Sequence, residues 1–359
     1  MDGHLKTGFW SHVRRHRVLL MIIGGIILVF GAAAGVFALL YQQPVEVTQE
    51  VVQVAPEPPQ PAPKYYSPLT GNLVADEAAT KQAVTAAMIE NSPDARPQSG
   101  IKDSGVVFEA IAEGGITRFM VIYQQEKPQL IGPVRSTRLY DVEWIAAFNA
   151  SVAHVGGSAE ALAEIRNGSY RDIDQFFNAG SYYRASDRYA PHNVYTTSAR
   201  LDALNTAKGY TSSTFTGFTR TDPAPAEVPN ATQVSITISS ALYNSTYIYD
   251  KTTNTYARSQ GGAPHLDREA GQITPTVIVA MRVNESTVLQ DGYREVIPTI
   301  GSGAATIFQN GTATPVTWTK TSKASQITFT DAEGKDVPLV RGQTWIAAVK
   351  NNGGNVTWQ

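Results

Sequence analysis

The sequence predicts an α+β protein, in which a mixed α/β domain is followed by a mostly antiparallel β domain and the pair is preceded by one transmembrane helix. Three observations lead there. Strand-like and helix-like apolar patterns interleave between residues 67 and 220. Thr- and Val-rich strand runs separated by glycine turns fill residues 232–359. One unbroken apolar stretch stands near the N-terminus.

That stretch, residues 18–40, contains no ionisable or amide side chain. A helix of this length rises about 34 Å, enough for a hydrocarbon core of roughly 30 Å. Residues 1–17 form a basic tail in which Lys6, Arg14, Arg15 and Arg17 face only Asp2. The positive-inside rule then puts the tail in the cytoplasm and residues 67–359 outside. A cleavable signal peptide is the competing reading, but the apolar run continues past Ala32-Ala33-Ala34, longer than such a peptide needs. Residues 41–66 read as a Pro-rich linker, since PEPPQPAP favours extended polyproline II over helix or sheet.

In the first domain, residues 84–89, 105–112, 118–124 and 151–155 read as buried strands, and residues 139–148 and 159–167 as helices. Ser158 is the expected N-cap of the second helix, and Ser198 the expected cap of another running to about residue 208. Three prolines in residues 221–231 mark an inter-domain linker. In the second domain, strand runs at 234–239, 247–250, 276–283, 305–308, 315–320, 325–330 and 344–350 are separated by turns at Gly261-Gly262, Asp291-Gly292, Asn310-Gly311 and Glu333-Gly334.

Composition narrows the chemistry. The chain carries 29 basic and 31 acidic side chains, and the exported part is mildly acidic, which argues against a nucleic-acid partner. With no cysteine, thiolate metal sites, thiol nucleophiles and cysteine lipidation are excluded. The three histidines beyond the tail, His154, His192 and His265, lack metal-ligand spacing, so neither metal nor cofactor is expected.

Two blocks of the first domain point instead to an anion. Ile131-Gly132-Pro133-Val134-Arg135-Ser136-Thr137-Arg138 and His154-Val155-Gly156-Gly157-Ser158 each lead into a helix, near Arg118. Guanidinium forks and helix N-termini hold phosphates and carboxylates. The candidate ligand-binding residues are Arg118, Arg135, Ser136, Arg138, His154, Gly156, Gly157, Ser158, His192 and Asn193. Against this, Glu109, Glu113, Asp141 and Glu143 are near enough in sequence to tie the arginines into a structural network. In the second domain, Trp318 and Trp345 fit core packing better than sugar stacking, and Asp267 can close a turn.

Taken together, MIENSPDARPQSGI, VVFEAIAEGGITRFM, IGPVRSTR, HVGGS and APHN, with GGAPHLD and RGQTWIA further on, resemble the YerB-like family of bacterial envelope proteins. The resemblance implies paired N- and C-terminal domains, exported and tethered to the membrane, and implies no activity. Relatives of that family are commonly lipoproteins with a lipidated cysteine, whereas this chain would be held by its apolar helix. Three functions follow in order of preference. The first is binding of an anionic cell-envelope ligand such as a glycan, phosphate polymer or peptide carboxylate. The second is a scaffold recruiting an envelope protein partner. The third is a cell-wall hydrolase using His154 and His192 with Glu109 or Asp187 as carboxylate partner.

Overall fold

Strands that are apolar at nearly every position need cover on both faces, and this chain supplies it with helices on one side and a second sheet on the other. The structure is a computed structural model and describes residues 9–41, 63–289 and 294–359. Helix α1 spans Phe9–Tyr41, so Arg14, Arg15 and Arg17, expected in a tail, are part of its backbone. Its segment Leu19–Tyr41 has a mean hydropathy of 2.6 and is long and apolar enough to cross a membrane. Most of the Pro-rich stretch and the Asp291-Gly292 turn lie outside the described residues. At the end of the expected linker, Tyr65–Tyr66 pairs with Leu73–Val74 as a small antiparallel ladder.

Residues 63–359 form one compact unit. Its first part contains β1 (Thr85–Glu90), β2 (Val106–Glu113), β3 (Ile116–Tyr123), α2 (Leu139–Ile145), β4 (Ser151–Ala153), α3 (Ala159–Ile165), β5 (Arg171–Asp172) and α4 (Ser198–Ala207). Ser158 caps α3 as expected, its hydroxyl accepting from Ala161 N. The cap of α4 is Thr197, one residue before the expected Ser198. The second part contains β6 (Gln233–Thr237), β7 (Ser245–Asp250), β8 (Thr255–Gln260), β9 (Val277–Val283), β10 (Gly301–Gln309), β11 (Thr312–Lys320), β12 (Thr328–Thr330), β13 (Thr344–Lys350) and β14 (Asn355–Trp358).

The two parts share a sheet. Its order is β12-β11-β10-β9-β13-β2-β3-β1-β4-β5, with the short strands Ser286–Val288 and Arg294–Val296 attached at the end of β2. The seam is parallel: Thr344 to Ala347 of β13 stand opposite Val106 to Glu109 of β2. On one face Met88, Phe108, Met120, Met281 and Ile346 pack under Tyr140, Trp144 and Ile165 from α2 and α3. On the other, Ile89, Val107, Phe119, Ile278 and Trp345 meet Val234, Ile236, Tyr247 and Tyr256 of a five-stranded antiparallel sheet built on β8-β7-β6-β14. Trp318 and Trp345 are both buried, so they pack the core.

A candidate arginine–carboxylate site and a buried seam network

The alternation of β1, β2 and β3 sends polar residues at one end of the sheet to both faces. On the helix-covered face, Glu90 of β1 stands directly opposite Arg118 of β3, and Arg118 opposite Ala110 of β2. The segment before α2 crosses this end, held by Arg135 N donating to Met88 O at 2.9 Å. It brings Arg135, Ser136 and Arg138 beside the strand ends.

The result is a continuous strip. Arg118 donates from Nη1 to Ser136 O (2.8 Å) and Oγ (3.2 Å), and from Nη2 to Glu113 Oε1 (3.3 Å). Arg138 donates from Nη1 to Ser136 Oγ and Thr137 O, both at 3.0 Å, and from Nη2 to Glu113 Oε2. Asp141 accepts the Arg138 backbone N–H at 2.8 Å and so anchors the first turn of α2. Arg135 Nε lies 3.3 Å from Glu90 Oε2, while His192 Nδ1 and Ser92 Oγ reach Glu90 Oε1 at 2.9 and 3.0 Å. Neither Arg135 Nε nor Glu90 Oε2 completes a hydrogen bond, and buried Arg118 Nε has no partner among the described residues.

Electrostatics differ along the strip. Burial works against ionisation of Glu113, yet the Arg118 and Arg138 guanidinium groups overcome it and hold the carboxyl below the ordinary range. Asp141 goes the other way: burial pushes it up to about 6, against the hydrogen bond from Arg138 and the nearby arginines. The folded state therefore binds more protons than the unfolded chain between the unfolded value of 3.8 and about 6. Stability from this group is complete below that window and is lost as pH rises through it, costing about 3 kcal/mol at neutral pH. Asp141→Asn is expected to be more stable than the parent at pH 7 by up to about that amount, with the gain vanishing by about pH 4. Urea unfolding at both pH values measures it, and a destabilised variant at pH 7 would refute it.

The remaining expected residues are brought close but serve the frame. His154 is fully buried, with Gly156 O 2.7 Å from Nδ1 and Asp172 Oδ1 3.0 Å from Nε2. Gly156 has φ +64° and donates its N–H to Asp174, and Ser158 donates its own to Thr137 O. At Gly157 a Cβ would sit 2.9 Å from Thr137 Cγ2 and 3.0 Å from Thr137 O, so close packing demands glycine there. Asn193 accepts from Arg184 Nη1 at 2.8 Å and donates to Ala185 O and Arg188 O, organising a turn. The expected carboxylate partners of the histidines are engaged elsewhere: Glu109 with Arg258 and Asp187 with Arg268. The cleft of about 550 Å³ beside Phe215 and Thr319 shares no residue with the strip.

Two side chains that sequence reasoning passed over are central: Glu90 in the strip, and Arg258 on the opposite face of the sheet. There Glu109 Oε2 accepts from Arg258 Nη2 (2.8 Å) and Trp345 Nε1 (3.0 Å). Arg258 also donates to Tyr247 Oη, Gln260 Oε1 and His265 Nδ1, and His265 Nε2 donates to Gln98 Oε1 at 3.0 Å. Burial and the Arg258 and Arg96 charges push His265 well below the ordinary histidine range, so it is neutral and free to accept at Nδ1. Asp267 closes its turn on Glu269 N and Ala270 N and accepts Ile101 N from the first part at 2.7 Å.

Fold and polar clusters together define a two-part α+β protein whose parts share one sheet and are pinned across it by a buried ion pair. Residues 69–211 match the family model "Protein of unknown function (DUF3048) N-terminal domain", and residues 234–346 match the corresponding C-terminal domain. The chain is 32% identical over 296 residues to "Putative lipoprotein YerB" of Bacillus subtilis (strain 168), covering 81% of this chain and 88% of the relative. The crystal structure of the Bacillus subtilis YerB protein superposes with a TM-score of 0.73 at 29% identity, over 82% of this chain and all of that one. This chain belongs to the YerB-like family.

Proposed function

We propose that the protein is anchored by residues 18–40 with its folded part outside the cytoplasm, and that it binds the anionic group of a cell-envelope ligand along the arginine strip. Glycan, phosphate polymer and peptide carboxylate share that chemistry. The observation that carries this reading is Arg135: its Nη1 and Nη2 have no protein acceptor among the described residues, and its side chain is a quarter exposed beside buried Arg118 and Arg138. A guanidinium fork left open at a wall of buried charge suits a planar or tetrahedral oxyanion.

Calorimetry of the full chain in detergent, with inorganic phosphate and with acidic wall-glycan fragments as probes, tests the site. Arg135→Ala is expected to weaken binding by about 10- to 100-fold, the loss of a charged hydrogen bond. Unchanged affinity rejects Arg135 as the contact. Topology has its own test, helped by the absence of native cysteine. Exposed Lys208→Cys should react with a membrane-impermeant maleimide in intact cells, and labelling only after lysis would reverse the proposed orientation.

A further inference from the structure

An anion reaching Arg135 finds its Nη atoms open, but the Arg118 and Arg138 guanidinium groups already share one carboxylate, Glu113. Glu90 pairs with Arg135 Nε, and Asp141 accepts the Arg138 backbone N–H. For a ligand anion to engage Arg118 and Arg138 as well, one of these carboxylates must give way.

The three differ sharply in how they are held. Glu90 and Asp141 are only 3% and 4% exposed, and Asp141 also holds a helix turn. The Glu113 side chain is 44% exposed and, among the described residues, receives hydrogen bonds only from the two arginines. It ends β2 at a register irregularity and is followed by Gly114 and Gly115, both at positive φ, with open space beside Gly114. Among the described residues, rotating this side chain into solvent breaks only its hydrogen bonds to Arg118 and Arg138. Behind it the seat is rigid, since Arg118 and Arg138 side chains are 3% and 7% exposed and both donate to Ser136 Oγ.

We propose that Glu113 is a built-in competitor, a carboxylate of the chain itself that fills a two-arginine oxyanion seat and swings out when a ligand's carboxylate or phosphate takes its place. This rests on the anion-binding reading above and specifies how that site is regulated. The seat is shaped for an anion presenting two oxygens side by side, because Arg118 Nη2 and Arg138 Nη2 point at separate oxygens of one carboxylate. Glu113 is ionised at neutral pH, which makes it an effective competitor, and the mutual proximity of Arg118 and Arg138 keeps an anion in demand once it leaves.

The experiment compares the parent, Glu113→Gln and Glu113→Asp in full-length protein, titrated separately with inorganic phosphate and with acetate. Glu113→Gln keeps the shape and drops the charge, so its affinity is expected to rise about tenfold or more. Glu113→Asp keeps the charge on a stem too short to span both arginines and should fall between. A gain with phosphate alone assigns a phosphate seat, a gain with acetate alone assigns a carboxylate seat, and either supports the competitor. If the parent binds and loses affinity in Arg135→Ala while Glu113→Gln binds no tighter, the competitor is refuted and the site stands. If neither parent nor Glu113→Gln binds either anion, both fall. Should Glu113→Gln fail to fold, an unchanged affinity in Glu113→Asp refutes the competitor.

Discussion

Replacing Arg258 with alanine is expected to cost about 3–5 kcal/mol, because it leaves the buried Glu109 carboxyl without its partner. Both side chains are essentially inaccessible, and Arg258 also lies 4.4 Å over the Trp345 ring. Tyr247, Gln260 and His265 lose a donor together. The loss should appear as one cooperative transition moved down on the order of 10 °C. Removing both charges in Glu109→Gln/Arg258→Met should recover part of it, since a neutral pair escapes the desolvation that a lone charge suffers. A parent-like melting curve for Arg258→Ala would show that the pair contributes nothing to the seam.

The second large effect is expected on the opposite face of the same strand. Phe108 stands in register with Met120 on one side and Ile346 on the other. Its ring stacks on Trp144 at 5.2 Å and meets Phe148 edge-on at 6.3 Å. Phe108→Ala should destabilise by about 3–5 kcal/mol through lost burial and an unfilled cavity. Hydrogen exchange distinguishes a shared core from two independent ones. Protection should fall together in β1–β3 and in β9 and β13, although the mutation lies in the first part alone. Loss confined to β1–β3 would mean that the seam is energetically silent.

Much of the fold was legible because burial on two faces leaves a plain mark. The strands ending at Glu90, Glu113 and Tyr123 are six to eight residues long, mostly apolar and buried at nearly every position, as covered strands must be. Strand β8 was missed because its inward residues are Tyr256, Arg258 and Gln260, and a buried arginine and glutamine hide the alternation that hydrophobicity would reveal. The edge strand β14 was missed because it is short and largely exposed. The arginines of the strip were visible as a residue type at a helix entry. Their partners were not: Glu90 meets His192 across 102 positions and Glu109 meets Arg258 across 149, separations set by topology alone. For the same reason the two sequence segments, which also match separate family models, gave no sign of lying side by side in one sheet.

The place of β13 has a further consequence for how this protein comes into being. It fills the gap between β2 and β9, so the middle of the large sheet is completed by residues 344–350. A ribosome makes the chain from the other end. The edge of β2 from Val106 to Glu109 is therefore synthesised more than two hundred positions before the strand that covers it, and stays unpaired until then. The nascent protein depends on shielding until residues 344–350 emerge. A message truncated before residue 344 would yield a sheet missing its centre, which is a substrate for quality-control proteases rather than a smaller working protein.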